Sequence, residues 1–198
     1  MEALIRELIQ KAHGFRHIME AGNRLMSGSG EDIFGKAVAL LDDERYQLRM
    51  LGTYLLGQLS VNEPAALAIL KGKVAADPNW RVQEMLAKAF DYHCRITGYQ
   101  AALPLIGEWL SGKHPNIPRA VIEGLRIWTA RPYFRDHPDR AITLISAHRA
   151  AESKYLRKSV GNALRDIRKK HRQLVDAETA LWDVANTRVA YVRKLVEK

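Results

Sequence analysis

Residues 79–91, NWRVQEMLAKAFD, combine the apolar spacing of a helix with side chains that could do chemistry. Trp80, Glu84 and Asp91 follow one another at intervals of four and seven residues, so on a helix they share one side. A carboxylate beside an aromatic ring favours positive charge, because both groups attract a cation. This stripe is therefore suited to stabilise a cation that a reaction creates. The apolar residues of the segment are predicted to face a core: Val82, Met85, Leu86, Ala89 and Phe90.

The excess of positive charge is confined to one part of the chain. The 198 residues carry a formal net charge of +9. Residues 113–172 contain 15 Lys and Arg against 5 Asp and Glu, whereas the rest of the chain contains 16 against 17. A solvated basic face is one explanation, but a field concentrated in this way favours a polyanionic partner, above all nucleic acid.

Composition disfavours several other classes of protein. Cys94 is the only cysteine, which excludes an internal disulfide and fits a reducing cytoplasm. No apolar run approaches the roughly 20 residues that cross a bilayer, and MEALIRELIQKAHG has no apolar region typical of a secretory signal. The seven histidines lack the paired spacing of a metal site. We therefore expect a cytoplasmic protein without membrane association or bound metal.

Helical spacing recurs along the whole chain, and no segment alternates as a half-buried strand would. Short polar breaks separate the helices: SGSG (27–30), DD (42–43), DPN (77–79), TG (97–98), GKHPN (112–116), DHPD (136–139) and AES (151–153). Aligning Arg49, Gln83, Arg119, Arg157 and Arg193 gives steps of 34, 36, 38 and 36 residues. Paired helices at this period predict an all-α, HEAT-like α-α superhelix, a solenoid of about five to six helical pairs. Residues 1–198 would form one such domain, with a non-repetitive helical bundle as the alternative.

In a solenoid the second helix of each pair lines the concave face, so the polar stripes of these helices would form one basic groove. The helix in PRAVIEGLRIW is expected to expose Arg119, Glu123 and Arg126. The helix in YLRKSVGNALRDIRKK is expected to bury Leu156, Val160, Ala163, Leu164 and Ile167, and to expose Lys158, Asn162, Arg165, Asp166 and Lys169. Cations on neighbouring helices would meet successive phosphates of a duplex. The predicted DNA-binding residues are Arg119, Arg126, Lys158, Asn162, Arg165 and Lys169.

Acids in this basic setting need an explanation, because carboxylates oppose binding to a polyanion. In one interpretation Glu84 and Asp166 are ion-pair partners that hold nearby Arg or Lys side chains, and spacing alone favours it. The other interpretation is catalytic. A base alkylated on a ring nitrogen already carries positive charge, so a carboxylate need only stabilise the oxocarbenium-like sugar and orient water. Trp80, one turn before Glu84, would attract the cationic sugar or base.

Three segments carry a resemblance to a known family: DPNWRVQEMLAKAFD, RAVIEGLRIWTARPYF and YLRKSVGNALRDIRKKH. They resemble the HEAT-like DNA alkylation-repair glycosylases of the AlkD/AlkC superfamily, and look like a compact bacterial branch of it. The resemblance covers residues 77–172 well and the N-terminal third only as generic helical repeat. It implies hydrolysis of the N-glycosidic bond of cationic alkylated bases in duplex DNA, without metal or organic cofactor. It also implies a bacterial cytoplasmic protein that is nucleoid-associated when bound to DNA, with no obligate protein partner.

The resemblance assigns roles to individual positions. Trp80 and Glu84 look like the aromatic residue and the carboxylate of the active site, and Asp166 resembles the second acid of the AlkC branch. Arg119 matches the arginine that holds the DNA backbone beside the carboxylate. Asn162 departs from the AlkD branch, which has a second active-site tryptophan there.

Three functional hypotheses follow. The first is a DNA N-glycosylase with catalytic residues Glu84, Trp80 and Asp166. The second, which Asn162 favours, is a catalytically inactive HEAT-like DNA-binding or scaffold protein. The third is a protein-interaction solenoid with an acidic partner. The other aromatic residues are interpreted as packing: Trp109, Trp128, Tyr133, Phe134 and Trp182.

Overall fold

The computed structural model describes residues 6, 8–10, 14–28 and 32–198, and every regular element in these ranges is helical. The α-helices are α1 (Arg16–Met26), α2 (Ile33–Leu40), α3 (Tyr46–Leu59), α4 (Pro64–Lys71), α5 (Trp80–Thr97), α6 (Leu103–Leu110), α7 (Asn116–Gly124), α8 (Pro132–Asp136), α9 (Pro138–Ser146), α10 (Lys154–Arg168), α11 (Arg172–Ala180) and α12 (Thr187–Val196). Two 3-10 helices span Val74–Ala76 and Trp128–Ala130. The break predicted at SGSG extends beyond the described residues.

Side chains next to the turns determine where several helices begin. Asp32 accepts a hydrogen bond from the Gly35 N–H at 2.8 Å and thereby caps α2. Ser153, in the predicted AES break, accepts one from the Leu156 N–H at 3.3 Å at the start of α10. Both satisfy backbone donors that have no partner within the helix. Pro64 opens α4, where its missing N–H costs nothing.

The chain divides into two compact units, Met1–Thr97 and Gly98–Lys198. In the N-terminal unit, α3 is central and packs against α1, α2, α4 and α5. Glycine allows two of these close approaches. A Cβ on Gly52 would lie 2.6 Å from the Ala37 carbonyl oxygen, and one on Gly57 would lie 2.5 Å from the Ala89 Cβ. Both glycines therefore allow α3 to pack closely against its neighbours.

In the C-terminal unit, α10 is central and packs against α7, α9, α11 and α12. Gly161 allows the contact with α12, because a Cβ there would lie 2.5 Å from the Leu195 Cβ. Beside α9, the ring centroid of Phe134 lies 4.8 Å from that of Trp128 and 5.2 Å from that of Tyr133. The packing role predicted for these three aromatic residues is confirmed.

Three of the five residues whose alignment revealed the repeat connect their helix to the turn before it. Arg49 and Arg157 each donate from Nη1 to the carbonyl oxygens five and six residues earlier, at 2.6 to 2.9 Å. Gln83, at the equivalent position, donates from Nε2 to the carbonyl oxygens of Val74 and Asp77 at 2.9 and 2.8 Å. In these three repeats the recurring polar residue therefore satisfies turn carbonyls that the helices leave without partners.

Helix α7 ends earlier than the apolar pattern predicts. The pattern continues to Trp128, but the helix stops at Gly124. Ile127 has φ 57°, the one positive φ outside glycine among the described residues. This left-handed conformation is strained for a β-branched residue and is incompatible with a continuing helix. Arg126 consequently lies in a turn and not on a helical stripe.

Helix α5 buries two titratable side chains near its end. Burial lowers the pKa of His93, whose Nδ1 lies 3.0 Å from Ser60 Oγ. Burial, with a smaller contribution from the charge of Asp91, raises the pKa of the Cys94 thiol to about 12. Both side chains are therefore kept neutral at physiological pH.

Candidate functional site

The start of α5 is held by a compact hydrogen-bond network. The Asp77 carboxylate accepts from Arg49 Nε at 2.6 Å and from the Asn79 N–H at 2.7 Å. Asn79 Oδ1 in turn accepts from the Arg81 N–H at 2.9 Å, which caps the first turn of α5. Because Arg49 belongs to α3, its ion pair with Asp77 joins the start of α5 to the start of α3. The first turn of α5 is thus a fixed platform.

Trp80 and Glu84 project from this platform away from the core. Trp80 is 50% exposed and Glu84 is half-buried, whereas the five apolar residues predicted to face the core are all at most 3% exposed. The other tryptophans, at 5% exposed or less, belong to the interior: Trp109, Trp128 and Trp182. Their predicted packing role is confirmed. Tryptophan is enriched at binding surfaces, so the exposed Trp80 is a candidate contact residue.

A cation already lies over the ring of Trp80. The Arg81 guanidinium carbon is 4.4 Å from the Trp80 ring centroid and 5.1 Å from the Tyr46 ring centroid. Both distances are within the range of cation–π attraction. Sequence reasoning missed Tyr46 and Arg81 because the two rings begin different helices. The aligned repeats contained a signal, since Tyr46 and Trp80 each stand three residues before the recurring polar residue.

In the C-terminal unit, Asp166 binds two of the predicted DNA-binding cations. Its carboxylate accepts hydrogen bonds from Arg126 Nε at 3.0 Å and from Lys169 Nζ at 2.8 Å. Burial alone would raise the pKa of Asp166, but the hydrogen bonds and charges of Lys169 and Arg126 lower it overall. The prediction that Asp166 is exposed is wrong, because these contacts leave its side chain only 10% accessible. Its position matches the ion-pair interpretation of this acid.

Arg119 is buried, so its predicted place on the exposed stripe is wrong. It is 4% exposed, and its guanidinium carbon lies 4.4 Å from the ring centroid of Tyr155. Tyr155 belongs to α10, which packs against α7. The adjacent Pro118 is also buried. Contact with the neighbouring helix therefore determines the position of Arg119.

Glu123 also turns inward from the predicted stripe. Its side chain is 13% exposed and accepts a hydrogen bond from the Ser159 hydroxyl at 2.6 Å. Arg126 Nη1 lies 3.8 Å from the same carboxylate. Arg126 thus has acids from α7 and α10 beside it, while its own side chain stays 48% exposed.

The other predicted DNA-binding residues lie on the accessible side of α10. Lys158 and Lys169 are exposed, and Asn162 and Arg165 are half-buried. A cavity of about 340 Å³ at the end of α10 has a strongly basic lining: Arg165, Arg168, Lys169, Arg172, Val196 and Lys198. Arg168, Arg172 and Lys198 were not predicted. Arg172 and Lys198 belong to segments that only the fold brings beside α10.

A second cavity of the C-terminal unit, about 470 Å³, is lined by Lys154, Tyr155, Lys158 and Tyr191. Within the described residues, no group of three or more His, Cys, Asp or Glu side chains is placed to hold a metal ion. No helix in the described ranges has the length and hydropathy needed to cross a membrane.

The predicted site residues thus belong to two clusters. Trp80 and Glu84 lie in the N-terminal unit, and Arg119, Arg126, Asp166 and the remaining cations lie in the C-terminal unit. Within the second cluster, Asp166 directly joins Arg126 and Lys169. That both clusters serve one groove stays a prediction.

Comparison with known proteins identifies the class. Residues 15–177 match the sequence profile of the DNA alkylation repair enzyme family, and the chain belongs to that family. The predicted resemblance is therefore confirmed. None of the curated proteins compared with the chain matches it.

Three solved structures resemble the chain. The crystal structure of AlkD2 from Streptococcus mutans is 41% identical, with a TM-score of 0.95 over 100% of this chain and 95% of that one. The smu.31 protein of Streptococcus mutans UA159 is 39% identical, with a TM-score of 0.92 over 100% and 97%. The alkylpurine DNA glycosylase AlkC of Pseudomonas fluorescens, bound to DNA containing an abasic site analog, is 19% identical, with a TM-score of 0.67 over 91% and 51%. Because the identity to AlkC is only 19%, this similarity supports the fold of the chain and nothing further. The predicted all-α, HEAT-like fold class is confirmed.

Proposed function

We propose that the protein is a monofunctional DNA N-glycosylase that hydrolyses the N-glycosidic bond of cationic N-alkylated bases in duplex DNA. The observation that carries the proposal is the placement of Trp80 and Glu84. An exposed indole and a carboxylate one turn later stand at the start of a helix that is anchored by Asp77, in a member of the DNA alkylation repair enzyme family. AlkC, which shares the fold, is a glycosylase of alkylpurines.

The proposed reaction needs little acid catalysis. The bond between the sugar C1′ and the base nitrogen breaks, and its electron pair leaves with the base. Because the alkylated base starts as a cation, it departs as a neutral molecule. Glu84 stabilises the positive charge that develops on the sugar and orients a water molecule. The water oxygen then bonds to C1′, and the proton it loses passes to Glu84 or to solvent.

The basic residues of the C-terminal unit would bind the phosphate backbone. Lys158, Arg165 and Lys169 are accessible for direct contacts, and Arg126 is half-exposed beside Asp166. Such contacts position the duplex without reading its sequence. Asn162, on the same helix, would donate an amide hydrogen bond to the backbone. Arg119 would act by holding Tyr155 and the start of α7 in place.

The contacts of Asp166 favour a positioning role. A carboxylate that already binds Arg126 and Lys169 is less available to stabilise a third positive charge. In this proposal Asp166 orients two phosphate-binding cations. The role of second catalytic acid, which the resemblance implies, stays a prediction.

The decisive experiment is base release from a methylated duplex. The wild-type protein should release alkylated base at a rate well above spontaneous loss, and Glu84→Gln should remove that activity while leaving duplex binding intact. Glu44→Gln, which changes an exposed acid of the same unit, is the matched control and should leave activity unchanged. Base release that survives Glu84→Gln would contradict the catalytic role of Glu84.

A second candidate function is DNA binding without catalysis. Two observations favour it: Asn162 stands where the AlkD branch has tryptophan, and Asp166 is occupied by two cations. In that case the duplex would bind with a steep salt dependence, because each phosphate contact releases a counterion, but no base would be released.

A further inference from the structure

The exposed face beside α5 contains a cation site that the protein fills with its own side chain. The Arg81 guanidinium lies over the rings of both Trp80 and Tyr46, at 4.4 and 5.1 Å from their centroids. A guanidinium is a planar, delocalised and weakly hydrated cation. Two aromatic faces directed at one such group form an arrangement that recognises organic cations.

The two rings are held in place by the same framework. Tyr46 is the first residue of α3 and Trp80 is the first residue of α5. These helices pack against each other, and the Arg49–Asp77 ion pair, at 2.6 Å, joins the first turn of α3 to the segment just before α5. Both members of that pair are largely buried, with side chains 16% and 9% exposed. The spacing of the rings therefore does not depend on Arg81.

We propose that Tyr46 and Trp80 form a binding site for a planar N-alkylated nucleobase cation, and that Arg81 is the resident group which this cation displaces. The inference rests on the proposed function, because it takes the ligand to be the base that the enzyme releases. Tyr46 would supply a second aromatic face, although Asn162 stands where a second tryptophan occurs in the AlkD branch.

Displacement of Arg81 makes the site selective for charge. If a neutral base displaced Arg81, the attraction between the rings and the guanidinium would be lost, and no other cation would replace it. A base alkylated on a ring nitrogen brings its own delocalised positive charge, so the rings keep a cationic partner. Competition with Arg81 thus allows cationic bases to bind and disfavours binding of ordinary neutral bases.

A nucleoside titration tests the site apart from catalysis. The probe is N7-methylguanosine in mildly acidic buffer, where its base is a cation, and guanosine is the neutral control. Quenching of tryptophan fluorescence is the readout, because Trp80 is 50% exposed while the other three tryptophans are at most 5% exposed. The wild-type protein should respond to the methylated nucleoside and not to guanosine, and Trp80→Phe should remove the response.

Variants of the two newly assigned residues have opposite expected effects. Arg81→Ala should tighten binding of N7-methylguanosine about three- to tenfold, because the competing cation is gone, and Tyr46→Ala should weaken it by a similar factor. Arg95→Ala is the matched control, because Arg95 also lies over a tyrosine of α5, at 5.3 Å from the Tyr92 ring centroid. It should change nothing. If Tyr46→Ala fails to fold by circular dichroism, Tyr46→Leu takes its place.

Weaker binding of the methylated nucleoside by Arg81→Ala would overturn the proposal, and so would equal binding of guanosine and N7-methylguanosine by the wild type. The outcome is separable from that of the base-release assay. If the cation binds as expected but no base is released from methylated duplex, the site stands and the glycosylase proposal fails. If base is released but Arg81→Ala and Tyr46→Ala leave nucleoside binding unchanged, only the cation site fails.

Discussion

Arg126 and Asp166 form an ion pair at 3.0 Å across forty positions of sequence, joining the turn after α7 to the last turns of α10. Lys169 binds the other oxygen of the same carboxylate at 2.8 Å. One acid thus holds two exposed cations of the basic surface. Its lowered pKa keeps it ionised throughout the neutral range.

Asp166→Asn should strengthen binding to unmodified duplex DNA. It removes a negative charge and leaves Arg126 and Lys169 available to phosphates. We expect affinity at low salt to rise about two- to fivefold, and the slope of log affinity against log salt to become steeper by about 1. Fluorescence anisotropy over a range of salt concentrations measures both.

Asp136→Asn is the control for Asp166→Asn, because the Asp136 side chain is 66% exposed and pairs with the adjacent Arg135 at 3.4 Å. Base release should persist in Asp166→Asn. If Asp166→Asn still binds the duplex but no longer releases base, Asp166 takes part in the catalytic step.

Arg119→Ala should destabilise the C-terminal unit. The substitution removes a 4% exposed side chain and its contact with the Tyr155 ring, so we expect a loss of about 2 kcal/mol in the free energy of unfolding. Urea denaturation measures it. Arg126→Ala, at a half-exposed arginine of the same unit, should change stability by less than about 1 kcal/mol while weakening DNA binding. Equal losses of unfolding free energy in Arg119→Ala and Arg126→Ala would contradict the structural role of the buried Arg119.

Asp77→Ala should disturb the platform of Trp80. It leaves Arg49 without its carboxylate at a site where both side chains are largely buried, which costs about 3 kcal/mol. The fluorescence of Trp80 should also shift, since the first turn of α5 loses an anchor. Glu20→Ala breaks the exposed pair with Arg16 and should cost less than about 1 kcal/mol. An unchanged urea midpoint for Asp77→Ala would refute the anchoring role.

His93 should make the protein less stable in mild acid. Burial lowers its pKa in the folded state below the ordinary value of 6.5, so the unfolded chain binds a proton that the folded chain does not. Its contribution to stability is complete above pH 6.5 and is lost as the pH falls toward the folded-state pKa, at no more than about 1.4 kcal/mol per pH unit. Unfolding of His93→Gln should vary less with pH over this window than that of the wild type. If the free energy of unfolding varied with pH in the same way in both proteins, His93 would not be the source of the acid sensitivity.

Periodicity predicted the cores of the individual helices well. All five apolar residues predicted for the buried face of α5 are buried, and so are the five predicted for α10: Leu156, Val160, Ala163, Leu164 and Ile167. A helix repeats every 3.6 residues, so spacing alone assigns a residue to a face. Trp80 and Glu84 could be found for the same reason, since they lie on one stripe of one helix.

Contacts between helices could not be predicted in this way. The spacing placed Arg119 and Asp166 on open stripes, but it contained no information about Tyr155 or Arg126, which cover them. The apolar pattern also continued past Gly124, where α7 ends, to Trp128, and it gave no sign of the left-handed conformation of Ile127. The cavity at the end of α10 depends on segments that meet only in the folded chain.

The burial of Cys94 has a consequence for a protein of the DNA alkylation repair enzyme family. Electrophiles that methylate DNA bases also attack sulfur, and they react with the thiolate far faster than with the thiol. With a pKa of about 12, Cys94 is ionised in roughly one molecule in 10⁵ at neutral pH. Its sulfur is also shielded from bulk water by the packing around α5. We therefore expect the single thiol of the protein to react slowly with the methylating agents that create alkylated bases.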